Sequence, residues 1–477
     1  MRRARILAIP MILASALVRA EAPATEPAWK PLTAKAAVQE GSLRVRSPIV
    51  AHERAVKFGE EWKLDQNVIV FAHVGKSLSV TIRPPAPAAE RKSACKDSAQ
   101  TLVKLKAFGQ DYGFWVRLDP DPEHARVSSA FGLRLPFGRD AAYLLDSDFD
   151  GALGSANDGV VVPGSRTAGP VQRPVTRIWT PEDAIEVRKN ADGTWSVATL
   201  PMPRPEDRDH SAAWRYLLWQ RQACGLLPPD YHPELEGPMR AHADYLATNK
   251  TFGHTETPGS PGYSKEGDEA GKSCLLGWGS RTCLAGVQGQ LNTLFHRSGA
   301  LSPEMSGSAV MLSEGTFLLS WSKIASSALA GRVLVYPPHG MTNVPCRSEL
   351  ASEMPCPVDD KAGRQFGTAV GIYAASLQFA TSLPEKPTLT LVPLDAKGNA
   401  GPAVEGEFHY PGHGAGGSKD YNGNVALIPG SPLRPETLYR ASINVLLPSR
   451  PGATARQDFA PFTCEWEFET GKEVKSR

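Results

Sequence analysis

Two periods of apolar and polar positions divide the chain. Over residues 42–200 the apolar positions alternate with polar ones or gather in short β-branched runs between turn residues, which predicts strands at 42–49, 67–73, 77–83, 101–108, 112–118 and 141–145. Residues 84–90 form a Pro/Ala linker, and residues 201–209 form a Pro- and charge-rich connector that suits a domain boundary. Beyond it the period changes to that of helices. Trp214, Leu217 and Leu218 open one apolar stripe, Leu235, Met239, His242 and Leu246 a second, and Val287, Leu291 and Leu294 a third over residues 286–297. From Gly315 the strand pattern returns at 316–321 and 332–336. It is clearest at Tyr439, Ala441, Ile443, Val445 and Leu447, and again where Cys464, Trp466 and Phe468 alternate with Glu465, Glu467 and Glu469.

A length of 477 residues predicts two to four domains. Lys and Arg number 52 against 50 Asp and Glu, and no basic run is interleaved with aromatics, so nucleic acid is excluded as an expected partner. The chain begins Met-Arg-Arg-Ala-Arg, continues with an apolar run over 6–18 and reaches small residues at Ala20 and Ala22, which reads as a secretory signal peptide over 1–22. That run is too short to span a bilayer, and no other stretch approaches the needed length. The first cysteine is Cys95, so no lipid-attachment signal is expected, and the mature protein is expected to be secreted or periplasmic. Export permits disulfides. Of seven cysteines, the closest pairs, Cys274 with Cys283 and Cys346 with Cys356, are the expected bridges, buried thiols being the alternative.

Two stretches carry candidate chemistry. Asp146, Asp148 and Asp150 precede Gly151, with Asn157 and Asp158 nearby, a spacing that suits a calcium loop because a hard cation takes several oxygens around a sharp turn. The same residues also suit an Asp-rich turn whose carboxylates cap their own backbone. The second stretch is Phe252-Gly-His254-Thr-Glu256, followed by Glu266-Gly-Asp-Glu269-Ala-Gly271 within a Gly-rich loop and by His296-Arg297 at the end of the third helix. His242 lies on an apolar stripe and reads as a hydrogen-bonded core histidine. Ser306-Gly307-Ser308 lacks the surroundings of a nucleophile elbow.

The order and spacing of His254, Glu269 and His296-Arg297 resemble those of the CAP superfamily, the fold of cysteine-rich secretory and pathogenesis-related proteins, over about a quarter of the chain. The resemblance implies an α+β multidomain protein with a central CAP α/β/α sandwich (206–331). Around it would lie a Pro/Ala-rich lead-in (23–41), a β-rich N-terminal region (42–205) and a C-terminal immunoglobulin-like β-sandwich (332–472), a module that often follows CAP domains in exported bacterial proteins. It also implies that His254, Glu269 and His296 converge. Two histidines and one glutamate with an open position would be a catalytic zinc set. The family's second glutamate is missing: residues 284–295 contain no Asp or Glu, Thr293 stands in its place, and Gln290 stands where bacterial relatives carry Trp. Glu256 or Glu266 would have to serve as general base, and an extended Thr255 would turn Glu256 away from His254. The leading reading is a binding protein for an extracellular or envelope ligand, be it protein, lipid or glycan. The alternatives are a zinc-dependent peptidase or esterase and a structural or adhesive envelope protein.

Overall fold

The computed structural model describes residues 30–472 apart from 33–36, 39–53, 75–76, 86, 96–100, 119–122, 138–139, 147–148, 154–157, 162–167, 171–175, 324–332, 349, 351–352, 355, 359–364, 375–376, 378–381, 396–397, 415–422 and 450–455. The expected signal peptide, the strand at 42–49 and Asp148 lie outside the described residues. The chain is β-rich, with several small sheets and a few helices. Among the described residues no helix is long and apolar enough to cross a membrane.

The N-terminal part consists of antiparallel sheets. Glu61–Leu64, Asn67–Val74, Ser77–Arg83 and Arg91–Cys95 form a meander, and Arg54–Lys57, His124–Ser129, Gln110–Leu118 and Thr101–Ala107 form a second sheet in that spatial order. Their inward positions share an aromatic core in which Trp62 meets Phe71, Phe114 and Phe149 at centroid distances of 5.2–6.0 Å. Thr176–Trp179 is the edge of a further sheet.

The central part opens with helix α1 (Arg208–Ala223), whose N-cap Asp207 accepts from the His210 N–H. Helix α2 is Glu236–Asn249, α3 is Lys265–Lys272, α4 is Cys283–Leu291 and α5 is Phe295–Ala300. A four-stranded sheet takes Asp230–Tyr231, Met305–Ser313, Thr316–Lys323 and Cys274–Trp278 in that spatial order. Its hairpin turns through Glu314 (φ 48°) and Gly315 (φ 74°), the pair of positive φ values that a two-residue turn requires. Alternate residues of the sheet part company. Cys274, Leu276, Ala309, Met311 and Leu318 pack with Met239 and Ala243 of α2. Leu275, Val310, Phe317 and Leu319 belong to the apolar cluster that holds Trp214 and Leu217 of α1 and Val287 and Leu291 of α4.

Two elements depart from the expected pattern. The third apolar stripe is broken, because Asn292 closes α4 and Thr293 Oγ1 turns back to the Gln290 carbonyl at 2.8 Å, so that α5 starts afresh. The Gly-rich loop is in part a helix, α3, capped by Ser264, whose Oγ accepts from Gly267 N at 2.9 Å.

The C-terminal part holds a four-stranded antiparallel sheet (Val333–Tyr336, Val370–Ala374, Asn424–Pro429, Gly406–His409) and a three-stranded one (Thr388–Leu394, Leu438–Pro448, Phe459–Glu469). Tyr439, Ala441, Ile443 and Val445 are buried, as are Cys464, Trp466 and Phe468. On the acidic face Glu467 is also buried, held by the opposing Arg440 through Nε at 3.1 Å and Nη2 at 2.9 Å.

The expected disulfides are not formed. Cys274 faces α2, while Cys283 lies in the cluster on the other side of the sheet, and both remain thiols that burial pushes up to about 12. Cys356 is likewise a thiol, donating to the Leu350 carbonyl, and Cys346 Sγ donates to the Gly471 carbonyl.

Candidate functional site

Around α2 and α3 the chain builds a buried polar knot. His242 projects from the apolar stripe of α2 and is fully buried, with Nδ1 2.9 Å from Glu256 Oε1 and Nε2 3.0 Å from the Gly253 carbonyl. Both ring nitrogens thus face oxygen atoms of the chain. Glu256 Oε2 accepts from Ser264 N at 2.9 Å, and the Glu256 N–H donates to Asp268 Oδ1 at 2.8 Å. The knot therefore ties α2, the loop of residues 250–264 and α3 together. It needs α3 very close: a Cβ on Gly271 would stand 2.4 Å from the His242 ring, and one on Gly267 would stand 2.5 Å from Glu256 Oε1. This explains the glycines that made α3 read as a loop.

The expected zinc set does not assemble. His254 is exposed, with Nδ1 2.8 Å from the Gly271 carbonyl. Glu269 is exposed on α3, 3.9 Å from Lys265 Nζ, and Glu266 is exposed as well. His296 is turned toward the C-terminal part, its Nδ1 3.1 Å from Glu353 Oε1. No three His, Cys, Asp or Glu side chains among the described residues form a metal-ligating group, so the donors present do not fit the implied zinc. Glu256, the alternative general base, is spent inside the knot.

In the Asp-rich loop the described carboxylates bind the chain itself. Asp146 is buried and accepts from Tyr112 Oη at 2.6 Å and Gly151 N at 2.8 Å on Oδ2, and from Asp150 N at 3.1 Å on Oδ1. Asp150 Oδ1 caps the Ala152 N–H at 2.7 Å, and Asp158 is buried. Burial and the Asp146 carboxylate push the Tyr112 phenol up, so it stays a donor. Asp146 and Asp150 hold a turn, and Asp148 and Asn157 of the expected calcium loop lie outside the described residues.

Three arrangements were not foreseen. The first is a half-buried series at the start of α1: the buried His210 Nε2 lies 2.8 Å from Tyr231 Oη and 3.2 Å from the Val310 carbonyl, Tyr231 donates to the buried Glu236, and Glu236 pairs with Arg204. Burial, with Arg204 second, lowers the His210 pKa below its ordinary range. The second is Glu353, which is buried and takes the N–H groups of Leu294 (2.8 Å), Phe295 (2.7 Å) and His296 (2.8 Å) at the start of α5. It stands 57 residues or more from its partners, and no local pattern could signal it. The third is an exposed aromatic pair. Trp278, 60% exposed at the end of its strand, meets Phe252, 46% exposed in the loop beside His254, edge to face at 5.5 Å and 84°. Both rings were visible in the sequence, but their meeting was not.

No family model and no curated protein matches the chain. Among solved structures it is similar to an extracellular protein containing an SCP domain from Bacillus anthracis str. Ames, at 10% identity over 56% of this chain and 89% of that one, with a TM-score of 0.22. It is also similar to a cysteine-rich secretory protein from Staphylococcus aureus subsp. aureus Mu50, at 9% identity with the same coverage and a TM-score of 0.20. Likeness of this degree decides nothing about the site, whose reading rests on its own geometry.

Proposed function

We propose that the chain is an exported binding protein. In this reading a CAP-like α/β/α domain (206–331) stands between a β-rich N-terminal region (42–205) and an immunoglobulin-like β-sandwich (332–472), and ligand is bound on the loop face bearing Phe252, His254 and Trp278. The observation that carries the reading is the exposed aromatic pair, in which Trp278 at a strand end meets Phe252 on the loop that the buried His242–Glu256 knot holds in place. Large exposed rings on an anchored loop offer contact area at low entropic cost on binding. The apolar run and small residues of 1–22 support export. The hydrolase reading loses its footing because its three donors point to different surroundings.

The test is to screen the full mature chain against immobilised glycans, lipid vesicles and extracellular proteins, beside the double variant Phe252→Ala, Trp278→Ala. The expected result is a ligand whose affinity falls at least about tenfold in the variant, with the unfolding transition unchanged, as the loss of aromatic anchors predicts. A ligand bound equally by both would place recognition elsewhere.

A further inference from the structure

Arg297, which follows His296 on α5, is almost fully buried at 5% exposure. Its guanidinium lies 3.8 Å over the Tyr336 ring, and Nη2 donates to the Ala369 carbonyl at 3.1 Å, but Nη1 is buried without a hydrogen-bond partner. The charge is poorly balanced. Glu353 is the carboxylate that acts on Arg297, and its oxygens are already engaged by three backbone N–H groups. A second buried guanidinium, Arg221, donates only to the carbonyls of Leu227, Ala300 and Ser302. Cys224, which interacts with both arginines, is kept a neutral thiol by burial, its pKa pushed up to about 12. Buried positive charge without a counter-charge is costly, and so is an orphaned buried N–H.

Beside this charge is a cavity. It lies between α5 and the C-terminal four-stranded sheet and is lined by Arg297, Ser298, Tyr336, Asn424 and apolar neighbours. Ser298 Oγ donates to Asn424 Oδ1 at 2.7 Å, which leaves the Asn424 amide group to act as a donor. The volume is about 20 Å3, where about 10–15 Å3 admits one water, so a monatomic ion fits.

We propose that this cavity is a binding site for a halide-sized monovalent anion, chloride in the ordinary case, held by Arg297 Nη1 and the Asn424 amide between the central and C-terminal parts. The anion supplies the partner that Arg297 Nη1 lacks.

The test uses the full mature chain with bromide as the probe. Crystals grown or soaked in bromide are expected to show an anomalous peak beside Arg297 and Asn424. In solution, replacing gluconate by chloride or bromide at constant ionic strength is expected to raise Tm by about 2 °C or more. Asn424→Asp keeps the acceptor for Ser298 and places a carboxylate at the site, so it should fold, abolish the peak and remove the halide dependence. A water in the wild-type cavity with no bromide peak, or a halide effect that survives in Asn424→Asp, would overturn the proposal. The wild-type diffraction result stands even if the variant fails to fold.

Discussion

At the scale of single residues, the knot around His242 makes a demand on Gly271 that Gly237, elsewhere on α2, is free of. Gly271→Ala would drive a methyl group into the His242 ring, and overpacking of that kind costs about 1–3 kcal/mol. Gly237, in the first turn of α2, has nothing within 4 Å of an added Cβ, so Gly237→Ala is expected to be neutral or to stabilise by up to about 1 kcal/mol. Urea unfolding midpoints of the two variants should move in opposite directions, or at least the first alone should fall. His210 gives a pH signature. Its pKa is lowered on folding, so below the ordinary value of about 6.5 the unfolded chain binds the proton more readily than the folded one. Stability contributed by the neutral ring is therefore complete above that value and declines as pH falls through it. His210→Gln should flatten this part of a stability profile measured from pH 7.5 to 5.5. How much of the site the sequence revealed depended on distance along the chain. The core role of His242 was legible from its place on an apolar stripe, whereas the destination of His296 was not, because its neighbour Glu353 lies in another region.

At the scale of elements, α5 is too short to persist on its own strength, having six residues. It is held by a carboxylate delivered from the C-terminal part, which takes three N–H groups at its start. Glu353→Ala removes charged hydrogen bonds worth about 1.5–3 kcal/mol each in favourable settings and strands those donors. We expect a loss of about 2–4 kcal/mol, together with faster amide exchange over residues 294–300, and unchanged exchange there would mean that α5 is held by other contacts. The strands of the C-terminal part were legible because each buries one face, so that polarity alternates along them. The α4–α5 break and helix α3 were not. In the first a Thr hydroxyl competes for the backbone, and in the second the glycines serve packing against His242 and Glu256 rather than a turn.

At the scale of the whole molecule, the three parts meet through buried groups. Gln222 of α1 accepts from Trp179 N at 3.1 Å and donates to the Arg177 carbonyl at 2.9 Å, covering the edge strand of an N-terminal sheet. On the other side, Leu294 packs with Leu350, Val358, Phe366 and Ile428 of the C-terminal part. Residues 201–331 produced alone would expose Leu294, Phe295 and the Arg297 guanidinium, and are expected to lack a cooperative unfolding transition. A stable monomer with the thermal midpoint of the full chain would show that the joint is dispensable. The carboxylate at the start of α5 also orders events in time. During synthesis, residues 295–300 leave the ribosome well before residue 353, and they wait uncapped until the later segment arrives. The turn of helix at 295–300 therefore settles only when the chain that follows has been made.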